Sequence, residues 1–355
     1  MKRLLFILSI TLLSHPLLQG QIQKGAVTFE GALGVQQTWR TFAFDGFRNN
    51  DHSFNYTPAF AFMVSDHWLV GGAIGLPSYL NADLYGENII RPTVRYYFNP
   101  IPKKNKYFVG FEPGFNVEAF DESIYTLSAG VNRFLNANIA LDATANYSVI
   151  GDNFNVLSIN LGLRPFLSRS DRVRWQSGVS NFGKGDLLIN ANLAGLDFID
   201  QFLNFIFNPR LGVFLNDQFV IGMELDARHA TETRLRWDRT RSYFSVAPFV
   251  RYYLPGQKHW RWFGEAGAAA FSGRETFLDD SEINNNGLSV NAKLGTNCFL
   301  TSNLALEISL RGSHIFDLDG TRSFAGSRPN INVEFAETIS TLSMDIAVQY
   351  FLNRK

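Results

Sequence analysis

The chain carries the same series of segments twice, in the same order, and this duplication limits its folds more than any other feature. QKGAVTFEGALG from Gln23 is echoed by GKGDLLINANLAG from Gly183. PTVRYYF from Pro92 returns as PFVRYYL from Pro248, and FEPG from Phe111 as GEAG from Gly264. RFLNANIALD from Arg133 matches CFLTSNLALE from Cys298, and LSINLGLRPFL from Leu157 matches LSMDIAVQYFL from Leu342. Pro58 and Pro209 each lie eight residues before an Asp, Asp66 and Asp217. Register holds inside each segment and slips between segments, as it does when a duplicated unit takes its insertions in loops. The repeat is about 150 residues, far longer than a solenoid or propeller unit, so a whole domain was doubled.

Each copy reads as eight strands. In the first they fall near 26–36, 54–65, 67–77, 88–99, 106–118, 123–135, 137–148 and 155–167. In the second they fall near 186–196, 203–215, 217–228, 243–255, 259–271, 287–300, 302–313 and 339–352. At about 3.3 Å per residue and a tilt near 40°, strands of this length cross an apolar band of about 25 Å. Soluble sandwich strands are typically about half as long. Two-residue periodicity assigns the faces. Leu157, Ile159, Leu161 and Leu163 alternate with Ser158, Asn160, Gly162 and Arg164. Leu304, Leu306, Ile308 and Leu310 alternate with Ala305, Glu307, Ser309 and Arg311.

Connections alternate in length. Ser65-Asp66, Asn216-Asp217, Asn136-Ala137 and Thr301-Ser302 are two-residue turns, whereas 36–53, 77–87 and 313–338 are long. Short turns on one rim and long loops on the other describe outer-membrane topology, with the short rim and both termini periplasmic. Polar stretches such as 230–241 and 320–329 are expected as outer loops. The N-terminus supports export: Lys2 and Arg3 precede an apolar run from Leu4 to Leu13, and Gly20 offers a small residue for cleavage. That run is too short to cross a bilayer as a helix and has the length of a signal-peptide core.

The expected architecture is therefore all-β, a transmembrane antiparallel barrel made of two tandem eight-stranded up-and-down barrels, with one sixteen-stranded barrel as the alternative. The expected divisions are residues 1–20 as signal peptide, 21–167 as the first unit, 168–184 as a periplasmic linker and 185–355 as the second unit. The inward face decides between the two architectures. In the first copy it carries Glu30, Glu112 and Asp142 against Arg91, Arg95 and Arg164; in the second, Arg251, Glu265, Glu307, Arg311 and Asp345. Eight-strand interiors are just filled by side chains, so charges there must be paired. Arg95 with Glu112, and Arg251 with Glu265, fall on neighbouring strands and are the expected pairs. A water-filled pore lined by the same charges is the competing reading. Pro92 and Pro248 lack a ladder donor and predict a bulge or a local unpaired position.

Function is far less legible. With 32 basic and 32 acidic residues there is no electrostatic case for nucleic acid. One cysteine, Cys298, excludes an internal disulfide and a Cys-rich zinc site. His229 and His314 stand at outer loop bases without metal-spaced partners, and the acidic clusters 279–282 and 317–320 read better as solvated loops than as cation sites. No acid, base and nucleophile set is apparent, so neither catalysis nor a cofactor is expected. Three classes remain: a surface-interaction barrel displaying loops, a passive pore, and, least favoured, an outer-membrane enzyme.

The opening Lys24-Gly25 and Lys184-Gly185 strands, the PxVRYY strand, the FLNANIALD-type hairpin and the closing strand with Phe351 resemble the small outer-membrane β-barrel family of the OmpA/OmpX type, in the forms common in Bacteroidota. The resemblance covers nearly the whole mature chain, once per copy. It differs in occurring twice and in placing four residues, 352–355, after the last aromatic. It implies an integral bacterial outer-membrane protein of structural, adhesive or unassigned role. The partners so implied are membrane lipid and lipopolysaccharide, with the barrel-assembly machinery during insertion.

Overall fold

The structure is a computed structural model that describes residues 24–30, 33–42, 48–56, 59–74, 89–98, 104–116, 123–136, 138–150, 154–167, 182–190, 192–199, 202–234, 237–255, 260–277, 282–323, 332–335 and 337–352. The expected signal peptide and most of the expected linker lie outside the described residues. Every described element is a strand. The first copy supplies β1 (Val27–Glu30), β2 (Leu33–Phe42), β3 (Arg48–Tyr56), β4 (Ala59–Met63), β5 (Trp68–Ile74), β6 (Ile89–Tyr97), β7 (Asn105–Asn116), β8 (Ser123–Phe134), β9 (Ile139–Ile150) and β10 (Phe154–Pro165). The second supplies β11 (Leu187–Asn190), β12 (Asn192–Ile199), β13 (Phe202–Phe207), β14 (Arg210–Phe214), β15 (Phe219–Arg234), β16 (Trp237–Tyr253) and β17 (Trp260–Phe277). It ends with β18 (Glu282–Thr301), β19 (Leu304–Ser323), β20 (Asn332–Phe335) and β21 (Glu337–Leu352).

At the end of the molecule that holds the tight turns, each copy closes on itself. The first ring runs β1-β4-β5-β6-β7-β8-β9-β10 and returns to β1 through paired hydrogen bonds of 2.8 and 2.7 Å between Val27 and Leu167. The second runs β11-β14-β15-β16-β17-β18-β19-β21 and returns to β11, with Leu187 opposite Leu352 and Asn190 opposite Gln349. Both rings start alike. Gly25 and Gly185 take positive φ, 86° and 93°, and donate to the carbonyls of Met63 and Phe214. A side chain is disfavoured in that backbone region, which gives the repeated Lys-Gly its reason. The turns are sealed by asparagines: Asn136 Oδ1 accepts from the amides of Asn138 and Ile139, and Asn216 Oδ1 from those of Gln218 and Phe219.

Toward the loop end the closing strands exchange partners. Above Gly31-Ala32, the opening strand of the first copy continues as β2 and pairs with β21, the last strand of the second copy, from Leu33 opposite Ile346 to Phe42 opposite Glu337. Reciprocally, above Ala191 the second copy's opening strand continues as β12 and pairs with β10, from Asn192 opposite Gly162 to Ile199 opposite Val156. A register shift between Leu161 and Gly162 accompanies the change. The chain is thus two eight-strand rings at one end and a single joined sheet at the other. The tandem-barrel reading describes the turn end, and the cross-copy pairing belongs to the loop end.

Outward residues of both copies meet in the fork. Ile139 and Leu163 of the first copy and Leu304, Val348 and Tyr350 of the second form one apolar cluster, each at most 6% exposed. On the same outward faces but away from the fork, Leu157, Ile159, Leu310 and Met344 are exposed. The exposed band along β16 runs from Leu254, just past its end, to Phe244, and on β18 from Leu294 to Leu288. Ten residues of tilted strand span about 25 Å. Trp68, Trp260, Trp262 and Phe219 edge the band at the turn end, and Tyr125, Tyr147, Phe244 and Phe316 at the loop end.

Several second-copy strands exceed the expected length. β17 has 18 residues, and β18 and β19 have 20 each. The stretch 230–241, expected as a loop, is mostly the continuation of β15 and β16. Alternation fades there because both faces of a strand that rises above an apolar band meet water, so the pattern that marks a strand is lost while the ladder persists. The prolines behave as unpaired positions without a bulge. Pro92 faces Gly72 on one side, and the β6–β7 ladder is interrupted between Ile90 and Val94 without a register change. Pro248 interrupts β16–β17 between Val246 and Phe249 in the same manner.

Candidate functional site

The interior is built in layers, beginning with an aromatic plug at the turn end of each ring. In the first copy, Met63, Leu69, Tyr97, Phe108, Phe134 and Phe166 pack together, each 1% exposed. In the second, the corresponding cluster holds Phe214, Tyr253, Phe263, Phe299 and Phe351, with Phe182 added from just before β11. Phe182 is the centre of this plug, with ring centroids 4.2 Å from Phe214, 4.8 Å from Phe351 and 5.5 Å from Phe299. Inward glycines make room for such rings. A Cβ on Gly222 would stand 2.4 Å from Phe249 Cζ, and one on Gly130 would stand 2.7 Å from Phe108 Cζ.

Above each plug lies a layer of paired charge, and its centre is duplicated. Arg95, Glu112 and Asp142 in the first copy correspond in sequence to Arg251, Glu265 and Glu307 in the second. Arg95 bonds Glu112 at 3.3 Å and lies 3.6 Å from Asp142. Arg251 donates through Nε to Glu265 at 2.7 Å and through Nη1 to Glu307 at 2.8 Å, and is fully buried. Each central arginine also covers a plug ring, Arg95 over Phe108 at 4.8 Å and Arg251 over Phe263 at 3.8 Å. The guanidinium is held between carboxylates and an aromatic face, the two surroundings that compensate its burial.

The outer cations of the layer differ between copies. In the first, Arg164 pairs with Asp142, and Arg91 lies 3.7 Å from Glu112. In the second, Lys293 bonds Glu307 at 2.7 Å, and Arg210 pairs with Glu265 and lies 3.9 Å from Glu224. Arg210 occupies the place of Ala59 in the duplication and Lys293 that of Ser128. Sequence reasoning missed Arg210, Lys293 and Glu224. The signal was available for Lys293, whose neighbours in alternation, Val290 and Leu294, are outward. Arg311 and Asp345 face the interior half-buried, Arg311 opposite Lys293 on the neighbouring strand, and Asp345 accepts from Ser343 at 3.2 Å. Glu30 closes β1, and its side chain lies outside the described residues.

Among the described residues the arrangement pairs each carboxylate of the layer with a cation. Among the described residues no group of three His, Cys, Asp or Glu is placed to hold a metal. His229 and His314 are apart, bonded to Ser242 at 2.9 Å and Ser340 at 2.8 Å. No helix among the described residues is long and apolar enough to cross a membrane.

No family model matches the chain, and no curated protein sequence matches it. Solved structures similar to it are outer-membrane proteins. The N-terminal β-barrel domain of Pseudomonas aeruginosa OprF is 16% identical, covering 48% of this chain and all of that one, at a TM-score of 0.24. Ail, the attachment invasion locus protein of Yersinia pestis, is 12% identical over 47% of this chain and 99% of that one, at 0.28. A bacterial polysaccharide outer-membrane secretin is 8% identical over 90% of this chain and 98% of that one, at 0.41.

Proposed function

We propose that the protein is an integral bacterial outer-membrane barrel that displays loops for surface interaction, without catalysis and without conducting solutes. The exposed apolar band edged by aromatic residues supports the membrane reading, because soluble proteins rarely expose so large a contiguous apolar surface. The tight turns then face the periplasm, along with both chain ends, and the loops face outside among lipopolysaccharide headgroups. A cleaved signal peptide and insertion by the barrel-assembly machinery belong to the same proposal.

The observation that carries the non-conducting reading is the double closure of each ring. Phe214, Phe351 and Arg251 are fully buried, and Phe108 and Arg95 are at most 5% exposed, so side chains fill the described interior at the turn end, which supports a closed lumen. A porin keeps its lumen wet. The cross-copy pairing at the loop end is the one feature that favours the pore reading, and it stops above both plugs. The test is conductance of the purified full chain in planar bilayers. Feeble or no conductance is expected; large, stable, porin-like steps would reverse the assignment in favour of a pore.

A further inference from the structure

The outer wall of the first copy carries a groove that the second copy fills, and the duplication shows which residues make the difference. Ala129 on β8 lies opposite Ala145 on β9, and both face outward. Around them stand Val109, Phe111, Leu127 and Tyr147, from 43% to 59% exposed. Together they border a groove of about 620 Å³, and every outward side chain lining it is aliphatic or aromatic. The corresponding pair in the second copy is Leu294 opposite Leu310, 68% and 48% exposed. Two leucine side chains there occupy the space that two methyl groups leave open here.

Two cations stand at the foot of the groove. Arg133 follows Ala129 on the same outward face of β8, about 13 Å nearer the tight turn. Lys104 adjoins it from the start of β7: the Phe134 amide donates to the Lys104 carbonyl at 2.8 Å, and Asn105 lies opposite Arg133. Neither cation is ion-paired among the described residues. The second copy has Cys298 in the place of Arg133, so the charge is missing where the groove is filled. Trp68 and Tyr96, with ring centroids 4.9 Å apart, bound the groove at the turn-end edge of the apolar band.

We infer that the first copy holds one anionic glycerophospholipid, with an acyl chain in the Ala129–Ala145 groove and its phosphate on Arg133 and Lys104. The inference rests on the proposed membrane orientation, in which the turn end is periplasmic, and it adds the lipid class and its place to that reading. Inside a bilayer apolar burial by itself gives no preference, so contact and shape decide. Leu294 and Leu310 hold a chain off the sheet, whereas Ala129 and Ala145 let it touch the sheet and the side chains on either flank. At the rim, a guanidinium and an ammonium without carboxylate partners match a phosphate, which arginine can bond through two parallel N–H groups. The periplasmic level of these cations selects a phospholipid over lipopolysaccharide, whose phosphates lie at the opposite rim.

The test is native mass spectrometry of the full chain, stripped of lipid in detergent and then given phosphatidylglycerol, phosphatidylcholine or lipopolysaccharide at equal concentration. One phosphatidylglycerol should be retained per chain, in preference to the other two. Arg133→Gln should weaken its retention about tenfold, the scale of one charge-assisted hydrogen bond, and Arg133→Lys should largely keep it. Ala129→Leu combined with Ala145→Leu builds the second copy's wall into the first and should abolish retention in a protein whose gel mobility still shifts on heating. Leu294→Ala, a change of the same size on the other copy, should leave retention intact. Equal retention of phosphatidylglycerol and phosphatidylcholine, preference for lipopolysaccharide, indifference to the alanine and arginine substitutions, or loss with Leu294→Ala would overturn the inference. Cell fractionation separates the two claims: a chain that fractionates with outer membranes and retains no phospholipid keeps the proposed function and loses this one.

Discussion

The Tyr350 hydroxyl of the second copy donates to the Leu163 carbonyl of the first, 2.8 Å away, across 187 residues of chain. Both residues are in the fork, where β10 and β21 turn from their own opening strands to those of the other copy. Leu163 falls past the end of the β10–β12 ladder, so its carbonyl depends on this hydroxyl. Beside it, Gln349 Nε2 donates to the Ile189 carbonyl at 2.8 Å. Two side chains on consecutive residues of β21 thus satisfy backbone that the strand exchange leaves open.

Removing that hydroxyl should be felt at the fork. Tyr350→Phe keeps the ring and leaves a buried carbonyl without its donor, a loss of about 1–3 kcal/mol. The midpoint of urea unfolding, read as loss of the fast-migrating folded band on unheated gels, should fall accordingly. An unchanged midpoint would mean that water replaces the hydroxyl and that the fork is wetter than its burial implies.

Because β2 completes the edge of β21 and β12 the edge of β10, neither copy is self-sufficient at its loop end. Residues 21–167 and 185–355, refolded separately in micelles, should leave strand edges open and should self-associate or remain heterogeneous. Mixing them during refolding should recover a sharp folded species. Two well-behaved monomers, one from each segment, would show that the cross-copy ladders are dispensable.

The charged layer should respond unevenly to truncation. Glu307→Ala takes from buried Lys293 its bonded carboxylate and leaves buried Arg251 with Glu265 alone, and should cost about 3–5 kcal/mol. Arg311→Ala, on the same strand but half-buried and opposite the like-charged Lys293, should stay within about 0.5 kcal/mol. Comparable losses from both would indicate that Glu307 is solvated in a wet lumen.

Phe182 offers a separate measure of the plug. Phe182→Ala empties the space among Phe214, Phe299 and Phe351 and should lower stability by about 3–5 kcal/mol, the range for a large aromatic removed from a packed core. Bilayer conductance should remain low, because the Arg251 layer still closes the ring above the void. Opening of a steady channel in this variant would make Phe182 alone the seal.

The amino-acid sequence by itself determined the strands, their faces and the duplicated core of the charged layer. Alternation is a local property, so Leu157 to Arg164 announces one apolar and one polar face whatever lies beside it. Duplication then located Arg95–Glu112 and Arg251–Glu265 twice over, because each pair sits on consecutive strands. The upper parts of β15 to β19 escaped because water on both faces erases the alternation. Only the tertiary structure decided which edges meet in the fork. A backbone ladder accepts any strand of suitable register, and nothing in β2 distinguishes β10 from β21 as its neighbour. The same blindness hides the seam: Leu163 and Val348 are apolar and outward like Leu157 and Met344, and a side chain that packs on a second barrel has the same chemistry as one that faces an exposed apolar surface. Arg210 was likewise settled by tertiary structure, since its partner Glu265 stands on β17, three strands further round the ring, and is reached through closure of the barrel and not through spacing along the chain.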